Sequence, residues 1–192
     1  MGLVNGVAVG FIMAIMNVSV VQYITSDPAA IGLLSTVAGF FGWLANYPSG
    51  RLSDTIGRKK IVIVGQLGTR VATFMIPFAK TIDQLLIIYT VRSISFNMSS
   101  PVYRALQADL VPKQIRGKIF GTVQTLFNLG AATSPFGGYI YEYLDSIRIT
   151  ILGQVLPGSA ILFWISAVMG LLTTLLFALY VVEPDIHREE MG

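Results

Sequence analysis

Long apolar runs alternate with short polar segments along this chain. Six runs of about twenty residues occur, which is the length that a helix needs to cross a ~30 Å hydrocarbon core. Polar, charged or proline-containing segments separate them. The pattern predicts an all-α membrane protein with one domain over residues 1–192 and a tail at 183–192. The predicted spans are about 3–24, 29–49, 61–79, 84–106, 119–141 and 158–182.

The composition supports a membrane protein. The chain is 54% hydrophobic and 12% charged, whereas ordinary globular proteins have roughly 25% charged residues. Its mean hydropathy is +0.69, too high for a water-soluble protein of this size. The basic pI near 9.3 could indicate a protein that binds nucleic acid. The basic residues lie between apolar runs, however, so the lipid bilayer is the predicted partner and nucleic acid is not.

The basic residues also predict an orientation. Nine of the thirteen fall on the side that holds both termini, and two, Lys80 and Arg148, fall on the other. Cytoplasmic loops carry an excess of lysine and arginine. We therefore expect a multi-pass protein of the cell membrane with both termini in the cytoplasm. The nine are Arg51, Arg58, Lys59, Lys60, Arg104, Lys113, Arg116, Lys118 and Arg188.

Two polar segments carry distinctive patterns. The first, residues 50–60 between the second and third spans, reads G-x-L-x-D-x-x-G-R-K-K and is predicted to be a charged loop. Asp54 and Arg58 are four residues apart, so one helical turn would pair them. The second, Asp109 to Gly121 between the fourth and fifth spans, reads D-x-x-P-x-x-x-R-G-x-x-x-G. A solvated positive-inside loop is the simpler interpretation of the charges, although it does not explain the full patterns.

Both segments resemble loops of the major facilitator superfamily of transporters, at the matching places in a six-span half. The resemblance therefore covers the whole chain and implies one half of such a transporter, built from two three-helix inverted repeats. The residues that carry it are Gly50, Leu52, Asp54, Gly57, Arg58 and Lys59 in the first loop, and Asp109, Pro112, Arg116, Gly117 and Gly121 in the second.

The fifth span shows a weaker resemblance to the glycine–proline motif of antiporter members. Gly130, Pro135 and Gly138 match it together with Gly121, whereas Ser134 and Tyr139 stand where the motif has glycine. Small residues also allow close helix packing, and proline bends a helix. We favour this packing interpretation, and antiport stays open.

Polar residues inside the spans are candidates for a transport pathway. Arg92 resembles the fourth-span arginine of the family, and burying it costs at least ~2.5–3.5 kcal/mol. It would line a cavity and meet an anion, form a structural ion pair, or snorkel to the outer surface. Ser99 roughly shares its helix face. The resemblance implies that Asn17 and Gln22 of the first span face the pathway, although a buried asparagine can also bond neighbouring helices.

Arg70, in the third span, is expected to serve packing. In the resembled fold the third span of each half is peripheral, which argues against a role of Arg70 in binding substrate. We expect it to contact a polar side chain such as Asn46 or Gln66.

Several activities have no residues to support them. There is no cysteine, and the single histidine, His187, lies in the tail. There is no G-x-x-x-x-G-K-[ST] phosphate loop and no nucleophile–base pair. No catalytic residue, metal or cofactor is therefore predicted, and the protein is not expected to be an enzyme. No Asp or Glu lies within a span, so proton coupling would need a group from elsewhere.

The expected function is half of a secondary active transporter that moves a small solute by alternating access. A second copy or a separate six-span half would complete it. Asp54 would accept hydrogen bonds from Arg58 and from the facing half, which would stabilise the outward-open state. The alternative is a truncated or non-transporting membrane subunit.

Overall fold

The computed structural model describes residues 2–151 and 153–182. This part of the chain forms seven α-helices, a short 3-10 turn at Ile76–Phe78 and one β-hairpin. The helices are α1 (Gly2–Tyr23), α2 (Pro28–Ile56), α3 (Arg58–Met75), α4 (Ile82–Leu110), α5 (Arg116–Ala131), α6 (Ser134–Asp145) and α7 (Ala160–Tyr180), and the strands are β1 (Arg148–Ile151) and β2 (Gln154–Pro157). The tail at 183–192 lies outside the described residues.

Side-chain caps set the starts of two long helices. Asp27 accepts a hydrogen bond from the Ala29 backbone N–H at 2.9 Å, and Pro28 follows it in the first turn of α2. Thr81 accepts from the Gln84 backbone N–H at 3.3 Å and begins α4. Both caps satisfy a backbone donor that has no partner within its helix.

The predicted loop at residues 50–60 is wrong in extent. Helix α2 continues through Ile56, and α3 begins at Arg58, so Gly57 alone separates them. Gly57 has a φ of 102°, a backbone conformation that glycine adopts without the steric cost of a Cβ. The charged motif is therefore a sharp break between two helices. The second predicted loop, 107–118, is also shorter, because α4 extends to Leu110 and α5 begins at Arg116.

The predicted fifth span consists of two helices, α5 and α6. The helix breaks at Ala132 and Thr133, just before Pro135. Proline lacks a backbone N–H and clashes with the preceding turn, so a break on its N-terminal side is expected.

The predicted connector at 142–157 holds structure that the sequence did not indicate. Helix α6 extends to Asp145, and β1 and β2 then pair antiparallel, with Arg148 opposite Pro157 and Ile151 opposite Gln154. Leu156 of β2 is buried. We call this end of the bundle the hairpin end, and the end that holds Arg58 and Asp109 the motif end.

Most of the main helix contacts fit an internal repeat. Helix α3 packs against α4 and α7, α1 packs against α7 and against α5 and α6, and α2 packs against α4. Exchanging α1, α2 and α3 with α4, α5–α6 and α7 maps these pairs onto one another. Helix α2 also packs against α3, and among the described residues the matching contact of α5 or α6 with α7 is not one of the main contacts. Two inverted three-helix repeats therefore stay a prediction.

The backbones of α1 and α5 approach each other closely. A Cβ at Gly130 would overlap the Leu3 carbonyl oxygen and would lie 2.7 Å from the Val7 nitrogen. Glycine allows this approach because it presents no side chain.

In the part of the chain that the structure describes, four helical segments are long and apolar enough to cross a membrane: α1, α2, α3 with its 3-10 turn, and α7. Helices α5 and α6 have 16 and 12 residues. The chain is thus a mostly helical membrane protein, and six spans remain a prediction.

Candidate functional site

The two motifs meet in one ion cluster at the motif end. Arg58 donates a hydrogen bond to the carboxylate of Asp109 and a longer one, of 3.5 Å, to Asp54. The Asp54 side chain is 64% exposed and that of Asp109 is 33% exposed. The predicted pairing of Asp54 with Arg58 is therefore present. Asp109, which sequence reasoning did not pair with Arg58, is the closer and less exposed partner.

Three helix ends position this cluster. Asp54 lies in the last turn of α2, and the break at Gly57 makes Arg58 the first residue of α3. Asp109 lies in the last turn of α4. The signal for this contact was the aspartate at the start of the second motif, on the same predicted side as the first motif.

Arg116 of the second motif holds the end of α4. Its guanidinium donates to the backbone carbonyl of Ala108 at 2.6 Å and to that of Val111 at 3.4 Å. Carbonyls at a helix C-terminus lack partners within the helix and attract a positive charge. Arg116 therefore fixes the turn from α4 into α5, close to Asp109.

The other motif residues are more open. A Cβ built at Gly50, Gly117 or Gly121 would meet no atom within 4 Å. Leu52 is 45% exposed, and Pro112 is exposed. These positions face outward from this chain.

A second polar cluster, which we call the hairpin cluster, centres on Asp145. This carboxylate accepts hydrogen bonds from Gln22 at 2.6 Å and from Ser159 at 2.9 Å, and it also accepts one from the Tyr23 hydroxyl. Tyr141 donates to the Gln22 side-chain oxygen at 2.9 Å. The cluster thus ties α1 to α6 and to the start of α7. The only sequence signal for Asp145 was an acidic residue just after an apolar run.

A cleft of about 620 Å³ lies beside this cluster. Its apolar wall includes Ile15 and Val18 of α1, and its polar wall includes Glu142 and Arg148. Arg148 donates to the Tyr23 hydroxyl at 3.5 Å, and this hydrogen bond raises the pKa of Arg148. Arg148 therefore places a positive charge on the wall of the cleft.

The predicted pathway residues lie in different contacts. Gln22 belongs to the hairpin cluster, while Asn17 is exposed on α1. Ser99 of α4 is buried against α3. A Cβ built at Gly65 of α3 would lie 2.7 Å from the Ser99 Cβ. The structure therefore does not gather these residues with Arg92 into one site.

Both arginines within the helical bundle, the buried Arg70 and the partly buried Arg92, contact neighbouring helices. Arg92 donates from Nε to the Thr73 hydroxyl of α3 at 3.2 Å, so it turns toward that helix. Arg70 donates to the Asn5 side chain of α1 at 2.7 Å. The expected partners of Arg70 were wrong: the side-chain oxygen of Gln66 instead accepts from Thr174 at 3.0 Å.

The fifth-span positions differ in their surroundings. Gly130 lies against the backbone of α1, whereas a Cβ at Gly138 would meet no atom within 4 Å. Pro135 lies in the first turn of α6.

Within residues 2–151 and 153–182, no group of three or more His, Cys, Asp or Glu side chains could hold a metal.

Comparison with known proteins gives a consistent result. The chain is 34% identical over 104 residues to a probable 4-methylmuconolactone transporter of Cupriavidus pinatubonensis, a match that covers 54% of this chain and 24% of that protein. It is 25% identical over 194 residues to multidrug resistance protein 3 of Bacillus subtilis, which covers 97% of this chain and 36% of that protein. An uncharacterised MFS-type transporter of Methanocaldococcus jannaschii is 29% identical over 141 residues, covering 73% of this chain and 36% of that protein.

Two of these relatives are named as transporters and none of the three as an enzyme, and the chain spans about a quarter to a third of their length. The sequence profile of the Major Facilitator Superfamily matches residues 1–190, a range that includes both loop motifs and the arginine–aspartate contact that joins them. The predicted family is thereby confirmed, and this membrane protein belongs to the Major Facilitator Superfamily.

Proposed function

We propose that this chain is one half of a secondary transporter that moves a small solute by alternating access. Its six predicted spans would pair with a second six-span half around a central pathway. The observation that carries this proposal is the contact of Arg58 with Asp109, which joins the two loop motifs where α2, α3 and α4 end. This contact leaves Asp54 largely exposed and able to accept a hydrogen bond from a facing half.

The ion cluster would act as a gate at the motif end. Asp109 holds Arg58 in place, and Arg58 approaches Asp54 at 3.5 Å. When the halves dock at this end, Asp54 would gain a donor from the facing half, which stabilises the outward-open state. Rocking of the halves would separate that pair and open the motif end.

The motif end would face the cytoplasm. Eight basic residues of the described part lie in or beside its two helix connections, while Lys80 and Arg148 lie toward the hairpin end. Contact between Arg58 and Asp109 supports assigning both connections to one side. Because such an excess marks cytoplasmic loops, both termini would be cytoplasmic in the cell membrane. The eight are Arg51, Arg58, Lys59, Lys60, Arg104, Lys113, Arg116 and Lys118.

The second half would dock across α2 and α5. A Cβ at Gly32 or Gly39 of α2, or at Gly117 or Gly121 of α5, would meet no atom within 4 Å. Glycines on a helix surface allow a second helix to approach closely in lipid. The internal repeat relates α2 to α5–α6, so both would meet the partner in related ways.

The relatives differ in what their names say they carry. One is named for 4-methylmuconolactone and another for multidrug resistance. We therefore propose a small solute as substrate and no narrower class. The alternative function is a non-transporting subunit or a truncated product, because the chain spans only a quarter to a third of the relatives' length.

Site-specific photocrosslinking in native membranes tests whether a second six-span half pairs with this chain. The chain contains no cysteine, so Gly39→Cys on α2 can carry a single benzophenone probe. The matched control is Leu172→Cys on α7, which is 53% exposed and lies outside the proposed docking face. We expect an adduct from Gly39→Cys that mass spectrometry identifies as a second copy or another six-span half.

Other outcomes would contradict the proposal. Adducts with assorted proteins from both positions, or no adduct from Gly39→Cys, would mean that α2 has no fixed partner. The non-transporting alternative would then be favoured.

A further inference from the structure

A second cavity, of about 210 Å³, lies at the hairpin end. Its wall is formed by the C-terminal part of α1, the 3-10 turn, the first turns of α4 and α7, and strand β2. Among the described residues, it shares no lining residue with the larger cleft beside Asp145. The cavity is therefore a feature separate from that cleft.

The wall of this cavity is mostly apolar. Four of its residues also belong to the hydrophobic core of the bundle: Val20, Ile76, Leu85 and Phe163. Leu156 of β2, another wall residue, is buried. Cavities lined by such side chains stay dry and bind apolar molecules, because the wall atoms lack van der Waals partners on one side. An apolar group that entered this cavity would supply those contacts.

The wall carries a positive charge at Lys80. Among the described residues that line the cavity, Lys80 alone is charged. It lies between the 3-10 turn and α4, and it is exposed. No ion pair within residues 2–151 and 153–182 includes Lys80, and its backbone N–H, not its ammonium group, donates to Gln84 at 2.9 Å. The ammonium group is therefore available to an anion.

The volume of the cavity limits the size of its ligand. An apolar cavity of about 150 Å³ holds one benzene molecule. A cavity of about 210 Å³ therefore accepts one ring or one short alkyl chain, and the two long chains of a phospholipid do not fit. A small single-chain amphiphile matches this volume together with the adjacent charge.

We propose that this cavity binds a medium-chain carboxylate, with its chain against Leu85 and Phe163 and its carboxylate at Lys80. The position at the end of the bundle suits such an amphiphile, because the charged group stays near water while the chain enters the core. The lysine ammonium is a compact charge with rotatable donors, so it can pair with a carboxylate without a fixed geometry. The wall belongs to this chain alone, so the site requires neither a second half nor transport.

Equilibrium dialysis of radiolabelled octanoate against the full purified chain in detergent tests this proposal, with micelles alone as the blank. Near neutral pH octanoate is ionised, whereas octanamide has nearly the same shape and no charge. Unlabelled octanoate should displace the label. Octanamide should need about fivefold higher concentrations or more, as expected for loss of one partly exposed charge contact. Acetate keeps the charge without the chain and should compete more weakly still, because buried methylene groups add affinity.

Three variants separate this site from general attraction to a basic protein. Lys80→Gln removes the charge and should weaken octanoate binding about fivefold. Lys113→Gln is the matched control, because it removes an exposed lysine between α4 and α5 and should leave the affinity within about twofold. Ala79→Leu keeps Lys80 but enlarges a wall residue, and it should weaken binding about tenfold or more because the new side chain takes up space that the ligand needs. Helical content by circular dichroism establishes that each variant is folded.

Several results would overturn the proposal. On the unaltered chain, which needs no variant to fold, these are the absence of displaceable octanoate binding and equal displacement by octanamide and octanoate. A folded Lys80→Gln or Ala79→Leu protein that binds octanoate as tightly as the unaltered chain would also overturn it. Because none of these measurements involves flux or a partner, a failure here leaves the proposed transport function standing.

Discussion

Arg58 at the start of α3 donates a hydrogen bond to Asp109 in the last turn of α4. Each loop motif therefore contributes one member of the same ion pair. Gly57 makes this geometry possible, because its φ of 102° lets α3 begin directly after α2 ends. The contact fastens the start of α3 to the last turn of α4 and leaves the Asp54 side chain largely exposed.

Asp109→Asn should lower the thermal stability of the chain. The substitution removes the charge that Arg58 contacts most closely, and a partly exposed ion pair contributes roughly 1 kcal/mol or less. We expect the unfolding midpoint in detergent to fall by about 2–4 °C, followed through tryptophan fluorescence. Asp54→Asn is the matched control and should change the midpoint less, because its contact is longer and more exposed. Equal losses in the two variants would contradict the assignment of Asp109 as the main partner.

Asp54→Asn should instead alter the conformational equilibrium. If Asp54 stabilises the docked motif end, neutralising it lowers the population of the outward-open state. A single cysteine at Val18, on the wall of the hairpin-end cleft, reports this population. In proteoliposomes, Val18→Cys should react more slowly with a membrane-impermeant maleimide when Asp54→Asn is present, and solute flux should fall.

The amount of inserted protein is the control for Asp54→Asn, since membrane insertion should not change. Unaltered labelling and unaltered flux would remove Asp54 from the gate. The Asp109→Asn result would be unaffected, because it concerns stability within one half.

Asp145→Asn should loosen α1 from α6. The Asp145 carboxylate accepts hydrogen bonds from Gln22, Tyr23 and Ser159, and the amide keeps only one acceptor oxygen. Hydrogen–deuterium exchange should become faster at the end of α1 and in the turn after α6. Glu142→Gln, one turn away on the exposed face of α6, should leave exchange unchanged. The same exchange in both variants would show that Asp145 does not hold these helices together.

The apolar pattern predicted most of the helices but did not predict which helices contact one another. The start of α2 at Pro28 lies within one residue of the predicted start at 29. Helix starts are predictable to this extent because capping, here by Asp27, is a local property. The extent of α2 through the first motif was missed because charged residues were read as a loop. A helix that has left the hydrocarbon core can carry charge on its surface, and here only Gly57 breaks it.

Contacts distant in sequence were the least predictable. The partner of Arg70 is Asn5, which is 65 positions away, and Arg58 meets Asp109 across 51 positions. Periodicity assigns a residue to a helix face but does not say which helix packs there. The β-hairpin was missed because its two strands have four residues each, too few for an alternating pattern to stand out.

Two glycines of α5 should respond in opposite directions to the same substitution. Gly130→Ala places a methyl group against the Leu3 carbonyl oxygen and the Gly6 backbone of α1. Backbone atoms cannot turn aside as a side chain can, so α1 and α5 must separate, at a cost of about 1–3 kcal/mol. At Gly121 a Cβ meets no atom within 4 Å. Gly121→Ala should therefore stabilise the lone chain by up to ~1 kcal/mol, because alanine favours the helix more than glycine does.

Thermal unfolding of both variants in detergent, where the lone chain is measured, distinguishes packing from helix propensity. A lower midpoint for Gly130→Ala together with an equal or higher midpoint for Gly121→Ala would establish that α1 and α5 meet at Gly130. Similar shifts in both variants would contradict the contact, because propensity alone acts at either position. The sign of the difference is decisive, since alanine changes the unfolded chain in nearly the same way at both sites.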